Sequence, residues 1–346
     1  MMGPKKLRPL THYIVPALFV GALFLMQIFG SPEESDILHI RGEAMGTTWS
    51  LKIAQSPLEK GDIVRGLQAE IEKVNLEMST YINFSTVSRF NQHTDLQTGL
   101  PISDNLKQVL ETARYVHDQS FGAFDVTVGP LVRAWGFGAN KASEPPTPAE
   151  VTQVLSKLGM SHIYIKDLKL YKVVPETEID LSAIAKGYAV DIGGEWLENQ
   201  GVRNYLLEIG GEIRSRGMKS EDMAWTVGIE SPSTDGTGAV EAITLRNTSM
   251  ATSGDYRQFY ELDGKRISHT IDPRDGQPVS HGLASVSVIH DSTMLADAWA
   301  TAIGVLGPKE GLIMANRHQL GVRMIVREDN GQFSAQESQT FTEKTR

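Results

Sequence analysis

The chain has 346 residues, 40% of them hydrophobic and 22% charged, enough for one large domain or two ordinary ones and unlike a disordered polymer. A net charge of −9, with no long basic run after the N-terminus, argues against a nucleic-acid footprint. The absence of cysteine excludes disulfides, thiolate metal sites and lipidation at a lipobox.

Taken in chain order, Lys5, Lys6 and Arg8 precede an apolar run over 14–29, interrupted by Pro16, Gly21 and Gln27. A basic flank before roughly 16 apolar residues fits a secretory signal or a short membrane anchor. The positive-inside rule then keeps the N-terminus in the cytoplasm and exports the chain beyond Ser31. Ile28-Phe29-Gly30 is a poor cleavage site, so a tethered and a released form both stay open. Residues 1–35 are read as this leader with its linker, 36–334 as the functional domain and 335–346 as a polar C-terminal tail.

Alternation over 37–53 predicts strands or a hairpin around Gly46. Helical spacing comes next over 58–78 (Ile63, Leu67, Ile71, Val74, Met78) and over 105–120 (Leu106, Val109, Leu110, Ala113, Val116). Thr147-Pro148-Ala149-Glu150 opens a helix to Leu158. Short strands are expected at 163–165 and 170–174, a helix over 182–199, and a buried strand at 205–209 that runs into Gly210-Gly211. That glycine pair marks a close backbone approach, to a ligand or to the neighbouring strand. Further strands are expected at 225–229, 240–245 and 284–289. Strands and helices without regular alternation give an α+β class, with mixed sheets packed with helices behind an N-terminal apolar leader or anchor helix. There is no GxGxxG after a strand and no GxxxxGK[ST] loop, so a phosphate-bearing ligand needs another cradle.

Residues 294–305 are hydrophobic nearly all round, the mark of a buried helix. Asp297 and Thr301 interrupt it four apart, on one face. A buried ionised carboxylate is costly unless paired, capped or metal-bound, so Asp297 predicts a cation or a tight hydrogen-bonding partner. His269, in Ser268-His269-Thr270-Ile271-Asp272-Pro273, is the histidine best set for general-base work; a structural histidine bonded to the turn is the alternative. Lys186 and Arg257 could each face phosphate or solvent. The remaining histidines, His117 among them, are read as surface or core residues.

Four stretches stand out: 77–91 with Met78-Ser79-Thr80-Tyr81 and Ser88-Arg89-Phe90-Asn91; Gly122-Ala123-Phe124-Asp125-Val126-Thr127-Val128-Gly129-Pro130; Asp180-Leu181-Ser182-Ala183-Ile184-Ala185-Lys186-Gly187-Tyr188-Ala189-Val190-Asp191; and 249–304 with Ser268-His269-Thr270-Ile271-Asp272-Pro273. In this order they resemble the ApbE family of FAD:protein FMN transferases from about Gly42 to Arg327. The resemblance implies that FAD is a substrate, cleaved at its pyrophosphate, and that FMN is joined through a phosphoester to a Thr or Ser of an acceptor protein. It implies Mg²⁺ held by Asp297, Thr301 and the main-chain carbonyl of Ala183. FAD contacts are implied for Met45, Tyr81, Ala123, Phe124, Asp125, Asp180, Lys186, Arg257 and Ile271. The implied acceptors are extracytoplasmic flavoproteins with a Gly-Ala-Thr or Gly-Ala-Ser motif, such as subunits of membrane redox complexes, met at the periplasmic face of the inner membrane. A metal-dependent FAD pyrophosphatase and an exported flavin-binding protein are the rival readings. Asp235-Gly236-Thr237-Gly238-Ala239 resembles an acceptor motif, but Val240 stands where the hydroxyl belongs.

Overall fold

A computed structural model describes residues 37–137, 145–230, 240–254, 259–262, 265–328 and 330–345. The alternating segment near the start folds as the hairpin β1 (Leu38–Ala44) and β2 (Thr47–Gln55). Its two-residue turn places Met45 at φ 52° and Gly46 at φ 71°, the left-handed pair that matches strand twist. Helix α1 (Lys60–Met78) buries the five predicted apolar positions on one stripe. It is followed by α2 (Thr86–Gln92), β3 (Leu100–Pro101), α3 (Asp104–Gln119) and α4 (Gly129–Ala134). Helix α5 (Pro148–Leu155) begins on a reciprocal capping box between Thr147 and Glu150.

After the hairpin β4 (Ile163–Lys166) and β5 (Lys169–Lys172) comes α6 (Ala185–Asn199), then β6 (Asn204–Ile209) and β7 (Glu212–Arg216). Next come the strands β8 (Trp225–Glu230), β9 (Val240–Leu245), β10 (Ser249–Gly254), β11 (Phe259–Leu262), β12 (Lys265–Ser268) and β13 (Leu283–His290). The described chain ends with α7 (Thr293–Arg317), β14 (Gly321–Arg327), β15 (Phe333–Glu337) and α8 (Gln339–Thr345).

The main sheet has eight strands in the order β1-β2-β6-β7-β10-β13-β14-β15, and each pairing is antiparallel. The α+β class is borne out, but the described sheets run antiparallel throughout instead of mixing directions. Side chains alternate across this sheet as strand geometry requires. Tyr205, Leu207, Ile209, Val286 and Val288 join the core under the helices; Leu206, Met250 and Ile289 join the opposite one, beneath β8 and β9.

Helix α6 packs between α1, α7 and the sheet, buried on nearly every side. Its buried Asp191 meets Arg214 of β7 at 3.0 Å, and the same guanidinium binds Glu198 at 2.9 Å and the Tyr205 hydroxyl at 3.1 Å. Removing one partner of such a buried network strands the other charge. Arg214→Met should therefore cost roughly 3–5 kcal/mol of stability. Urea denaturation checks this, and an unshifted midpoint would show that the network contributes nothing.

Two expectations need correction. Residues 335–345 are not only a polar tail: they complete β15 and form α8, whose Phe341 is 3% exposed and sits in the second core. One buried aromatic anchors an otherwise polar stretch. The predicted helix over 182–199 starts later, at Ala185, because Ile184 breaks the helical path (φ −151°, ψ −27°). The long apolar helix is interrupted at Gly307, φ 76°, ahead of Pro308, whose ring cannot continue the preceding ladder. The leader expected over 1–35 lies outside the described residues. Among the described residues no helix is long and apolar enough to cross a membrane.

Candidate active site

The start of α6 and the first turns of α7 define the site. Asp191 accepts the N–H groups of Thr293 (2.9 Å) and Met294 (3.0 Å) and the Ser292 hydroxyl (2.8 Å), placing a carboxylate on the N-terminus of α7. One turn closer to the start of α6, the Gly187 N–H donates to Asp297 Oδ2 at 3.0 Å. Moving toward the start of α6 thus means moving forward along α7, so the helices run antiparallel. Only glycine allows this approach at position 187, since a Cβ there would lie 2.5 Å from the Thr293 carbonyl oxygen and 2.8 Å from Asp297 Cβ.

This contact also bears on the Ala183 carbonyl. In a continuous helix the Gly187 N–H would bond that carbonyl. Here it turns to Asp297, which leaves the carbonyl without its helical donor. Asp297 thus meets α6 at its first turn, the Ala183 carbonyl lies just before that turn, and Thr301 follows Asp297 by one turn of α7; all three are hard oxygen donors. The Thr301 hydroxyl lies 3.4 Å from that of Ser253. Among the described residues no group of three or more His, Cys, Asp or Glu side chains gathers to hold a metal. One carboxylate is nonetheless an ordinary complement for Mg²⁺ when substrate phosphates supply the rest.

Two buried carboxyls lie near one ammonium here, which is paired with one of them. Lys186 Nζ donates to Glu212 Oε1 at 2.6 Å. Burial acts to lower the Lys186 pKa, but the charges of Asp297 and then Glu212 outweigh it and hold the ammonium above the usual lysine range. Burial, followed by the charge of Asp297, pushes the Glu212 carboxyl up to about 8. Burial likewise raises Asp297, against the pull of Lys186 and the Gly187 N–H. Glu212 is 2% exposed and its second oxygen, Oε2, has no hydrogen-bond partner. A buried acceptor in that state typically costs about 1–3 kcal/mol. The Gly210-Gly211 turn before it is tight. At Gly210, φ 62°, a Cβ would meet the Thr47 side chain at 2.9 Å and Lys186 Cδ at 3.3 Å. The close approach there is to the neighbouring β1–β2 turn and to Lys186.

A second cluster adjoins through Asp180. Its N–H bonds the Val126 carbonyl (2.7 Å), and its Oδ1 accepts the Ser182 N–H (2.9 Å) and hydroxyl (2.5 Å). Asn91 of α2 clamps the residue before it, donating to the Ile179 carbonyl at 2.9 Å and accepting the Ile179 N–H at 2.8 Å. The buried Lys172 ammonium lies on the Asn91 carbonyl at 3.2 Å. Asp125, 8% exposed, accepts the Thr127 N–H and hydroxyl at 2.7 and 2.6 Å. His117 Nδ1 donates to the Phe124 carbonyl at 2.8 Å and sits 3.4 Å from Asp125 Oδ2. Ala123 and Phe124 belong to the main core, so their backbone is what they have to offer a ligand.

The His269 segment packs at the far end of α4. The His269 ring meets Phe137 edge-on, centroids 6.2 Å apart, and Phe137 lies against Tyr260, whose hydroxyl donates to the Trp135 carbonyl. Trp135 Nε1 in turn donates to the Gly276 carbonyl at 2.8 Å, fixing the turn that carries Asp272 and Arg274. Ile271 is buried in this third cluster and bridges to Pro278. The opposite end of α4, Gly129, rests against Asp180. Six residues of helix span about 9 Å, so α4 spaces the His269 segment from the Asp180 loop. Tyr81 is 75% exposed between α1 and α2, and Met45 packs on the main core from the β1–β2 turn. Arg257 lies outside the described residues.

Asp297 is thus brought to the Lys186-Gly187 turn at the start of α6, while Asp180 and Asp125 meet through the Val126–Asp180 bond. Sequence reasoning missed Glu212, Asn91, His117 and the capping role of Asp191. Asn91 and Asp191 lie inside two of the four distinctive stretches of sequence, which is the one signal that could have found them.

The ApbE family model matches residues 45–326. A protein of Haemophilus influenzae named FAD:protein FMN transferase is 39% identical over 339 residues, 94% of this chain and 96% of its own length. The flavin transferase ApbE from Vibrio cholerae superposes with a TM-score of 0.83 at 38% identity, covering 89% of this chain and 99% of its own. The apo flavinyl transferase ApbE of Pseudomonas stutzeri gives a TM-score of 0.84 at 34% identity, covering 91% and 99%.

Proposed function

The chain belongs to the ApbE family, and from that footing we propose that it transfers FMN from FAD to a Thr or Ser hydroxyl of an acceptor protein. The hydroxyl oxygen forms a phosphoester to the FMN phosphorus, the pyrophosphate bond breaks, and AMP leaves with the electron pair. The observation that supports this reading is the buried Asp297, bound by the Gly187 N–H at the start of α6 next to the Lys186–Glu212 ion pair, a carboxylate and a cation suited to a metal-bound pyrophosphate.

Asp297, Thr301 and the Ala183 carbonyl would hold Mg²⁺, which when bound neutralises charge on the pyrophosphate oxygens. Lys186 offers a second positive charge to phosphate. His269 takes the proton of the acceptor hydroxyl. Tyr81 and Met45 flank the flavin ring, an aromatic face and a polarizable thioether suited to stacking. The Ala123-Phe124-Asp125 backbone turn, Asp180, Ile271 and Arg257 complete the FAD site. The basic flank and apolar run ahead of Ser31 support export and display at the periplasmic face of the inner membrane. Acceptors there are flavoproteins, among them subunits of membrane redox complexes, that carry a Gly-Ala-Thr or Gly-Ala-Ser motif.

The test incubates the full chain with FAD, Mg²⁺ and an acceptor peptide ending in Gly-Ala-Thr, read by intact mass with and without EDTA. An EDTA-sensitive gain of one FMN phosphoester is expected. Release of FMN and AMP with every offered Thr and Ser peptide left unmodified would replace the transferase by a hydrolase.

A further inference from the structure

We infer that Glu212 is a positioning residue of the cation site: one carboxylate oxygen holds the Lys186 ammonium off Asp297, and the other stands open for a donor that arrives with the ligand. This rests on the proposed function, because it takes Asp297 as a cation ligand.

Lys186 lies among buried carboxyls and has a choice of partner. Its ion pair goes to Glu212 Oε1 at 2.6 Å, while Asp297 Oδ2 takes the Gly187 N–H. Lys186 directly precedes Gly187, whose N–H is bound to Asp297, so the lysine and that carboxylate share one helix end. Without Glu212 as its hydrogen-bond partner, the ammonium turns to Asp297. There it competes with a divalent cation for the same carboxylate.

The setting of Glu212 suits a holder. It is the first residue of β7, pairs with Ile209 of β6, and comes directly after the Gly210-Gly211 turn that rests on Lys186 Cδ. Backbone pairing on one side and the tight turn on the other fix where its carboxylate stands. Oε2 is buried and has no partner. A carboxylate needing only to neutralise a lysine would leave no such oxygen in the dark, whereas a hydrated cation brings water O–H groups able to reach it.

The experiment measures Mn²⁺ affinity of the full chain, from the electron paramagnetic resonance signal of free Mn²⁺, without reference to turnover. Glu212→Gln should weaken binding by at least about tenfold, as loss of an outer-shell partner does. Adding Lys186→Met to that variant removes the competitor, and affinity should recover in part, staying below that of Lys186→Met alone, which keeps the Glu212 oxygen. Unchanged affinity in Glu212→Gln overturns the inference, and so does a double variant as weak as Glu212→Gln. Should Glu212→Gln fail to fold, the double variant leaves neither buried charge stranded. Its affinity then decides alone: weaker than Lys186→Met supports the inference, and equal to it overturns it. Wild-type affinity in Asp297→Asn would instead remove the cation site itself, and this inference with it.

Discussion

Asp297→Asn is expected to slow FMN transfer by at least about a thousandfold, the kinetic equivalent of about 4 kcal/mol of transition-state stabilisation. Its residual rate should no longer respond to Mg²⁺. The substitution is chosen for what it keeps. Asparagine still offers an oxygen to the Gly187 N–H, now at 3.0 Å from Asp297 Oδ2, so the contact between α6 and α7 survives. What goes is a negative charge whose burial already raises its pKa, and losing it should not lower the melting temperature. Asp297→Ala differs in one respect, because it strands the Gly187 N–H at a cost of about 1–3 kcal/mol. The two variants together separate the cation's part from the structural one. Rates are read by mass spectrometry of an acceptor peptide across a Mg²⁺ titration. A parent-like Mg²⁺ response in Asp297→Asn would refute the metal assignment.

Much of this site could be read from the chain because its chemistry interrupts a pattern. Asp297 and Thr301 are the polar residues of the apolar run over 294–305, and their spacing puts them on one face. The longer elements were legible for a related reason: α1, α3 and β13 each bury a periodic or continuous apolar set. Strands β7 and β10 escaped because their sequences contradict their burial. Glu212, Arg214 and Ser215 are buried in β7 but are residue types usually found outside, and β10 is largely small and polar. Tertiary pairing overrides composition in both.

Glu212 was illegible on the same ground. A glutamate after two glycines reads as a surface turn until Lys186, 26 positions earlier, is found against it. The Asn91 clamp on Ile179 spans 88 positions and has no local signature. Phe341, alone in a polar stretch, gave no periodicity from which α8 could be foreseen. What the chain conceals, then, is the set of groups that position the reactive ones, since their partners are remote in sequence.

His269→Ala should reduce transfer by roughly 10²–10⁴-fold, the usual contribution of a positioned general base, and leave FAD binding intact. The surroundings of His269 make the distinction between a chemical and a structural histidine testable. His269 is half-buried, its ring edge-on to Phe137, and the turn after it has bonds of its own. Asp272 pairs with Arg274, the Gly276 N–H bonds the Asp272 carbonyl, and Trp135 caps the Gly276 carbonyl. Removing the imidazole deletes the edge contact with Phe137, worth about 0.5–1.5 kcal/mol, and leaves these bonds within the turn in place. A small loss of stability beside a large loss of rate is the pattern a catalytic base produces. Free imidazole added to His269→Ala offers a second readout, because it can accept the hydroxyl proton in the space the side chain vacated. Partial recovery of transfer, with no change in FAD affinity, is the expected outcome. Full activity without imidazole, or a rate loss matched by lost FAD binding, would return His269 to a structural part and leave the acceptor hydroxyl to be activated by another group.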